Sequence, residues 1–222
     1  MMNNKVFISK GSAATYEQRL FIDAVLDMLN TVGLSPRIMN ENEWSYEQPL
    51  KSIRKVIKEC DGLIIIAFTR TKFQNGIEIK KDQNVELNDI MLPTTWNHIE
   101  GSIAYSFDLP LLVIAENGLK SEGLIDKGYD WTVYWTDLNP DVVKTESFRG
   151  FLNSWKGAVE QFSLNKNQVD KHIDADKLPL SVILKSITLA QVWKIATAIV
   201  TLLIAVATIS YKIGAGKFPW EK

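Results

Sequence analysis

Apolar and polar positions along this chain recur in two periods, and the periods mark out its elements. Lys5-Val-Phe-Ile-Ser9 is a short apolar run closed by Lys10-Gly11-Ser12, the pattern of a buried strand and the loop after it. Leu20, Phe21, Ala24, Val25, Met28, Leu29 and Val32 follow at helical spacing, with Thr15 placed to cap that helix and Gly33 to end it. Arg37 to Met39 predicts a weak second strand, and Asn40 to Gln48 a polar loop. Pro49 suits the first position of a helix whose apolar stripe is Leu50, Ile53, Val56, Ile57 and Cys60. Gly62 to Phe68 is continuously apolar, as a parallel strand covered on both faces should be. Residues 69–93 are polar and predict a long irregular loop, inside which Asn75-Gly76 is placed to close a small hairpin. A helix from Thr94, a strand from Leu111 to Ala115, a loop with Gly118, Gly123 and Gly128, and a strand from Trp131 to Trp135 come next. Phe148, Phe151, Leu152, Trp155, Val159 and Phe162 mark a last helix of this region.

Strands that alternate with helices predict an α/β fold. The expectation is a flavodoxin-like parallel five-stranded sheet with helices on both faces, built from residues 1–162. In such a sheet the ligand crevice opens beyond the carboxyl ends of the strands, here between Ser9–Ser12 and Phe68–Thr71. Residues 163–182 are polar and predict a linker, and residues 183–192 a short interfacial helix.

The pattern then changes. From Ile195 to Tyr211, between Lys194 and Lys212, there is no charge at all. As a helix that run is about 26 Å long, slightly under a hydrocarbon core of about 30 Å. Lysines that snorkel, with Trp193, Tyr211, Phe218 and Trp220, can make up the difference. A single transmembrane helix is predicted over 193–213, with a short tail over 214–222 and a lipid bilayer as partner. Lysines balance on its two sides, and the first residues carry no apolar leader. The main domain is therefore expected on the cytoplasmic side of an inner or plasma membrane. Thr197, Thr201, Ala205 and Thr208 fall on one stripe of the span. Such stripes mediate helix association and homo-oligomers, and in an assembly the stripe can instead line a narrow polar path.

Composition narrows the chemistry. The net charge of -1 provides no field for nucleic acid, so none is expected as partner. One cysteine and two histidines leave no ligand set for a structural metal. Cys60, on a buried stripe, reads as a core residue rather than a nucleophile. Trp131, Tyr134 and Trp135 read as sheet packing, Glu116 as a solvated strand end, and His98 as facing solvent.

One residue breaks the pattern. On a wheel of about 100° per residue starting at Trp96, the residues Ile99, Glu100, Ile103, Ala104 and Phe107 share one arc, and His98, Gly101 and Tyr105 face away. Glu100 thus sits on the side expected to be buried. A carboxylate there must be partnered or protonated. Either it caps a backbone group or pairs with Arg70 or Lys10, or it serves a ligand. Lys10, Gly11 and Ser12, with Arg70 nearby, can hold a phosphate.

These stretches also carry a family resemblance. Lys-Val-Phe-Ile-Ser at 5–9, Cys60-Asp61-Gly-Leu-Ile-Ile-Ile-Ala, and Thr94-Thr-Trp96-Asn-His-Ile-Glu100 resemble, in order and spacing, the first strand, central strand and glutamate-bearing helix of Toll/interleukin-1 receptor (TIR) domains. The related nucleoside deoxyribosyltransferases share this scaffold and also use a glutamate on that element. The resemblance implies a nucleotide small molecule as ligand and Glu100 as catalytic carboxylate in cleavage of the nicotinamide N-glycosidic bond of NAD. NAD would be a substrate, and no cofactor is implied. It also implies Phe7 and Ser9 in the pocket lining, Trp96 beneath it, and the 40–49 loop as a cover. With the predicted span, the expected function is a membrane-anchored TIR-like effector, of the kind found in bacterial antiphage defence, that binds a nucleotide signal, oligomerises and perturbs the membrane; cleavage of NAD with Glu100 as catalytic carboxylate is the alternative. The sequence departs from the family where Lys10-Gly11-Ser12 stand in place of an aromatic residue and an acid, where Asn97 replaces a cysteine, and in the insert at 69–93.

Overall fold

The computed structural model describes residues 4–46, 48–126, 130–172, 188–215 and 218. The chain divides into two compact units, Met1–Asn167 and Gln168–Lys222.

In the first unit, five strands form one parallel sheet: β1 (Asn4–Lys10), β2 (Leu34–Arg37), β3 (Gly62–Ala67), β6 (Leu111–Glu116) and β7 (Thr132–Thr136). Their order is β2-β1-β3-β6-β7, the flavodoxin-like order expected from the pattern. The helices α1 (Tyr16–Thr31), α2 (Pro49–Glu59), α3 (Thr95–Tyr105) and α4 (Glu146–His172) supply the crossovers and cover. Alternate strand residues feed two cores. Val6, Ile8, Ile64, Ile66, Leu112 and Ile114 meet Phe21 and Val25 of α1 and Leu152 and Trp155 of α4. Phe7, Leu63, Ile65, Val113 and Ala115 meet Ile53 and Ile57 of α2 and Ala104 of α3. All six residues of β3 are buried, as the unbroken apolar run required.

Local signals explain the element boundaries. Thr15 accepts from the Gln18 backbone N–H while the Gln18 side chain returns to the cap, a complete capping box. Gly33, with φ +82°, makes the turn into β2. Pro36 is tolerated because β2 is an edge strand. Gly62 begins β3 under α4, where a Cβ would lie 2.6 Å from Val159 Cγ2 and 2.9 Å from Trp155 Cζ2.

Several expectations are corrected. The second strand is Leu34–Arg37 rather than Arg37–Met39, because the chain is already extended as it leaves Gly33. Leu20 and Leu50 are exposed, and Ile22 takes the buried place on α1. Residues 69–93 are not irregular: β4 (Thr71–Glu78) and β5 (Val85–Leu92) form an antiparallel hairpin of their own. Asn75-Gly76 lies inside β4, opposite Asn88 and Leu87, and the reversal falls at residues 79–84. The cross-strand pairing of Phe73 with Ile90 and Thr71 with Leu92 outweighs the local turn signal. The hairpin is fixed at its base, where the Arg70 N–H donates to Leu92 O at 2.8 Å and the Lys120 N–H to Met91 O at 2.9 Å. Helix α4 runs past Phe162 to His172, into the segment expected as linker.

In the second unit, α5 spans Leu189–Ala215. Gln191–Gly214 is 24 residues long, has a mean hydropathy of 2.1 and is not buried, so it is long and apolar enough to cross a membrane. The stripe hydroxyls are satisfied within the helix: Thr197 donates to Trp193 O at 3.0 Å, Thr201 to Thr197 O at 2.8 Å and Thr208 to Ile204 O at 2.7 Å. Hydroxyls so bonded can face lipid without an unmet donor. Most of the segment expected as interfacial helix, together with Gly128 and Trp220, lies outside the described residues.

Candidate functional site

β1 and β3 run level, with Ser9 opposite Ile65 and Lys10 opposite Ile66, so their carboxyl ends stop together. Beyond them lies a cavity of about 510 Å³. β1 and its loop contribute Lys10, Gly11 and Ser12, and the segment after β2 contributes Ile38 to Glu41 and Ser45. α2 adds Pro49, Ser52 and Ile53; Arg70, Thr94, Trp96 and Glu100 close the remaining side. The volume falls within the range of small-molecule sites, about 300–1,000 Å³.

Glu100 reaches this cavity because of how α3 packs. The buried positions of α3 are Asn97, Glu100, Gly101 and Ala104. Gly101 faces inward, contrary to the wheel: a Cβ there would lie 2.4 Å from Leu124 Cδ1 and 2.7 Å from Ile65 Cδ1. Trp96 is 42% exposed and forms the rim rather than the floor. The helix presses its small side chains onto the sheet, and an indole does not fit in that gap. Glu100 itself is 7% exposed. Burial pushes its carboxyl group up to about 7, and a hydrogen bond from Ser9 works in the opposite direction.

Ser9 and Phe7 are both fully buried. Neither is part of the cavity wall, and Phe7 belongs to the core. Asn97, only 1% exposed, donates through Nδ2 to Ser9 O at 3.1 Å and to Ser9 Oγ at 2.9 Å. Its Oδ1 is buried and has no partner.

The cations of the site are engaged elsewhere than at Glu100. Lys10 Nζ pairs with Glu41 at 2.5 Å, and Arg70 Nη1 donates to Ser12 O at 3.5 Å. The Lys10–Glu41 pair ties the loop after β2 to the end of β1. Arg37 pairs with Glu43 in the same loop, and Ser52 Oγ of α2 donates to Ser45 Oγ at 2.8 Å. Asn40 takes φ 62° at the cavity wall, a conformation asparagine tolerates better than most residues. At Gly11 a Cβ would lie 3.3 Å from Phe68 Cζ, so the loop passes close over that ring.

The structure therefore brings Lys10, Gly11, Ser12, Arg70, Trp96 and Glu100 to one cavity and leaves the fully buried Ser9 and Phe7 out of its wall. Sequence reasoning missed Asn97 as a polar contact and Glu41 as the partner of Lys10. Asn97 was detectable as the residue one turn before Glu100, on the same helix face. Glu116 is not part of the cavity wall; its Oε2 accepts the Thr69 N–H at 2.5 Å and anchors the turn into the hairpin. His98 is half-buried rather than solvent-facing, and its ring lies where a Cβ on Gly123 would meet it at 3.0 Å. Burial pushes the Cys60 thiol up to about 12, which leaves it inert. Among the described residues no group of three or more His, Cys, Asp or Glu could hold a metal.

The fold and cavity define an α/β protein of flavodoxin-like order, with its crevice at the strand ends and one apolar C-terminal helix. No family model matches the chain, and no curated protein matches it by sequence. Among solved structures it is similar to a CMP N-glycosidase, BcmB, from Clostridium botulinum, at 14% identity and a TM-score of 0.37, over 62% of this chain and 91% of that one. It is also similar to an apo NADH:FMN oxidoreductase, EMOB, at 12% identity and a TM-score of 0.37, over 74% of this chain and 90% of that one.

Proposed function

We propose that this chain is a membrane-tethered, TIR-like protein whose strand-end cavity takes a nucleotide and cleaves its N-glycosidic bond. The observation that carries the reading is Glu100: a buried carboxyl group, titrating near neutrality, set in the wall of a nucleotide-sized cavity that also holds Lys10 and Arg70. The two cations and the loop amides at Gly11 and Ser12 suit the phosphates. With the phosphates at that end, the ribose lies toward Glu100.

NAD is the substrate the residues suit best. Its nicotinamide carries a positive charge and leaves as a neutral base, taking the electron pair of the C–N bond. Positive charge then builds on the ribose, and the ionised form of Glu100 stabilises it while water adds to C1′ and gives up its proton to the surrounding solvent. No metal or cofactor enters this scheme. The test is NAD consumption by the purified full chain, with Glu100→Gln as the comparison. Turnover by wild type and its loss in the variant support the reading; equal rates in the two proteins would refute it.

The C-terminal helix favours a second reading, in which nucleotide binding drives assembly and the packed spans disturb the bilayer, as in antiphage effectors. Cell toxicity that is insensitive to Glu100→Gln but lost on removal of residues 189–222 would select this reading over the first.

A further inference from the structure

We infer that the outer edge of β4 is a self-association surface whose partner is β4 of a second copy of this chain, the two hairpins joining in antiparallel register about Asn75 as one four-stranded sheet. The inference goes beyond the proposed function and holds whether the cavity cleaves a nucleotide or only binds one.

The hairpin has two edges, and they differ. The β5 edge is guarded. Its base is bridged to Leu119, and Met91 O accepts the Lys120 N–H at 2.9 Å. Midway along, Asp89 stands at φ 51°, and the ladder skips it: Phe73–Ile90 and Asn75–Asn88 are pairs, whereas Gln74–Asp89 is not. An interrupted, acidic edge of that kind resists a further strand. β4 has no such interruption. Among the described residues β5 is its one strand neighbour, and Thr71 to Asn75 and Ile77 are exposed. The main-chain groups of β4 that point away from β5 are therefore placed where another strand can take them.

The residues of β4 decide which strand fits. Lys72-Phe-Gln-Asn75-Gly-Ile-Glu78 is self-complementary about Asn75, with a cation and an anion at its ends and an aromatic and a β-branched residue inside them. Two copies related by a two-fold axis at Asn75 set Lys72 opposite Glu78 and Phe73 opposite Ile77, at both ends of the ladder. Opposite charges and aromatic–β-branched pairs stabilise directly opposed positions. Sliding the register by two residues one way sets Lys72 opposite Lys80, and the other way sets Phe73 opposite Asn75. Phe73 and Ile77 are 49% and 66% exposed. Phe73 already meets Ile90, but Ile77 faces Glu86 within its own hairpin and gains an apolar partner from the second copy. Lys72 and Glu78 have partners in their own chain, Asp89 at 3.6 Å for the first and Lys80 at 3.5 Å and Lys120 at 3.8 Å for the second. Surface pairs of this kind are weak enough to be shared or exchanged.

Cysteine cross-linking of the full chain in liposomes tests the pairing. Asn75→Cys places both new thiols on the axis, with Cα atoms about 4.5–5.5 Å apart, within disulfide reach. The native Cys60 is buried and stays in place. Under mild oxidation Asn75→Cys is expected to give at least about tenfold more covalent dimer than Thr71→Cys, which this register keeps far from its own copy. Assembly through α5 alone would cross-link the two positions equally and overturn the inference, as would the absence of any cross-link at residue 75. Two further chains combine Asn75→Cys with Lys72→Glu or with Glu78→Lys. Each alone sets like charges opposite one another at both ends and is expected to lose most of its cross-link. Mixed in one membrane, the two restore opposite charges at both ends and are expected to recover it, which also shows that both variants fold. Undiminished cross-linking of either variant alone, or a mixture no better than its parts, would overturn the inference.

Discussion

At the scale of single residues, Glu100 sets two opposed demands. Its carboxyl group is held near 7 in the folded chain, against about 4.5 when unfolded. The folded state therefore binds the proton more tightly than the unfolded one. The stabilisation this gives is complete at acid pH and is lost as pH rises through about 7. Above that range wild type carries a buried anion that Glu100→Gln does not. The variant is expected to be more stable than wild type at pH 8 by about 2–3 kcal/mol, with the gain gone near pH 4, as read by chemical denaturation. Under the proposed function the same titration would set the rate. A cationic leaving group needs the ionised carboxylate, so kcat/KM for NAD is expected to rise with pH to a plateau above about 7. A nucleotide with a neutral base would need the protonated form, and its profile would fall over the same range. Glu100 was legible in the sequence because an acid on an apolar arc is conspicuous. Its neighbours were less so. The wheel ranked α3 by hydrophobicity, but the close approach of helix to sheet selects by size, and it placed Gly101 inside and Trp96 at the rim.

At the scale of elements, that close approach makes its own prediction. Gly101 sits where α3 crosses Ile65 of β3 and Leu124, and a methyl group there meets both within 2.7 Å. Gly101→Ala is expected to destabilise the first unit by about 1–3 kcal/mol through overpacking. It should also lift Glu100 from its seat, so that the nucleotide binding proposed for the cavity would weaken more than the melting temperature alone explains. Gly150, in α4, meets nothing within 4 Å, and Gly150→Ala is the matched control. The parallel strands were legible because each is an unbroken apolar run between turn signals. The β4–β5 hairpin was not. It has little buried apolar surface to give it a period, and its pairing joins residues that no local pattern links. The order of the main sheet was recoverable from alternation alone, since right-handed crossovers leave few other arrangements.

At the scale of the whole molecule, the chain joins a water-covered sheet domain to a helix with no polar face. That helix is long and apolar enough to cross a membrane, and it was legible in the sequence because the run carries no charge. The threonines on α5 refine that picture. Each of Thr197, Thr201 and Thr208 donates to its own helix, so no hydroxyl of the three demands a partner across an interface. Membrane insertion should therefore tolerate their replacement by valine, and any loss of self-association would report packing at the stripe rather than a broken hydrogen bond. A charge in the middle of the span is a different matter. Leu203→Arg places a guanidinium at the centre of Gln191–Gly214, at a cost of about 2.5–3.5 kcal/mol to insertion. The wild-type chain is expected to remain in the membrane pellet after alkaline carbonate washing, the triple valine variant to remain with it, and Leu203→Arg to be released in part. Complete release of the wild type under the same wash would mean that α5 finds its cover in protein, and the membrane half of the proposed function would fall with it.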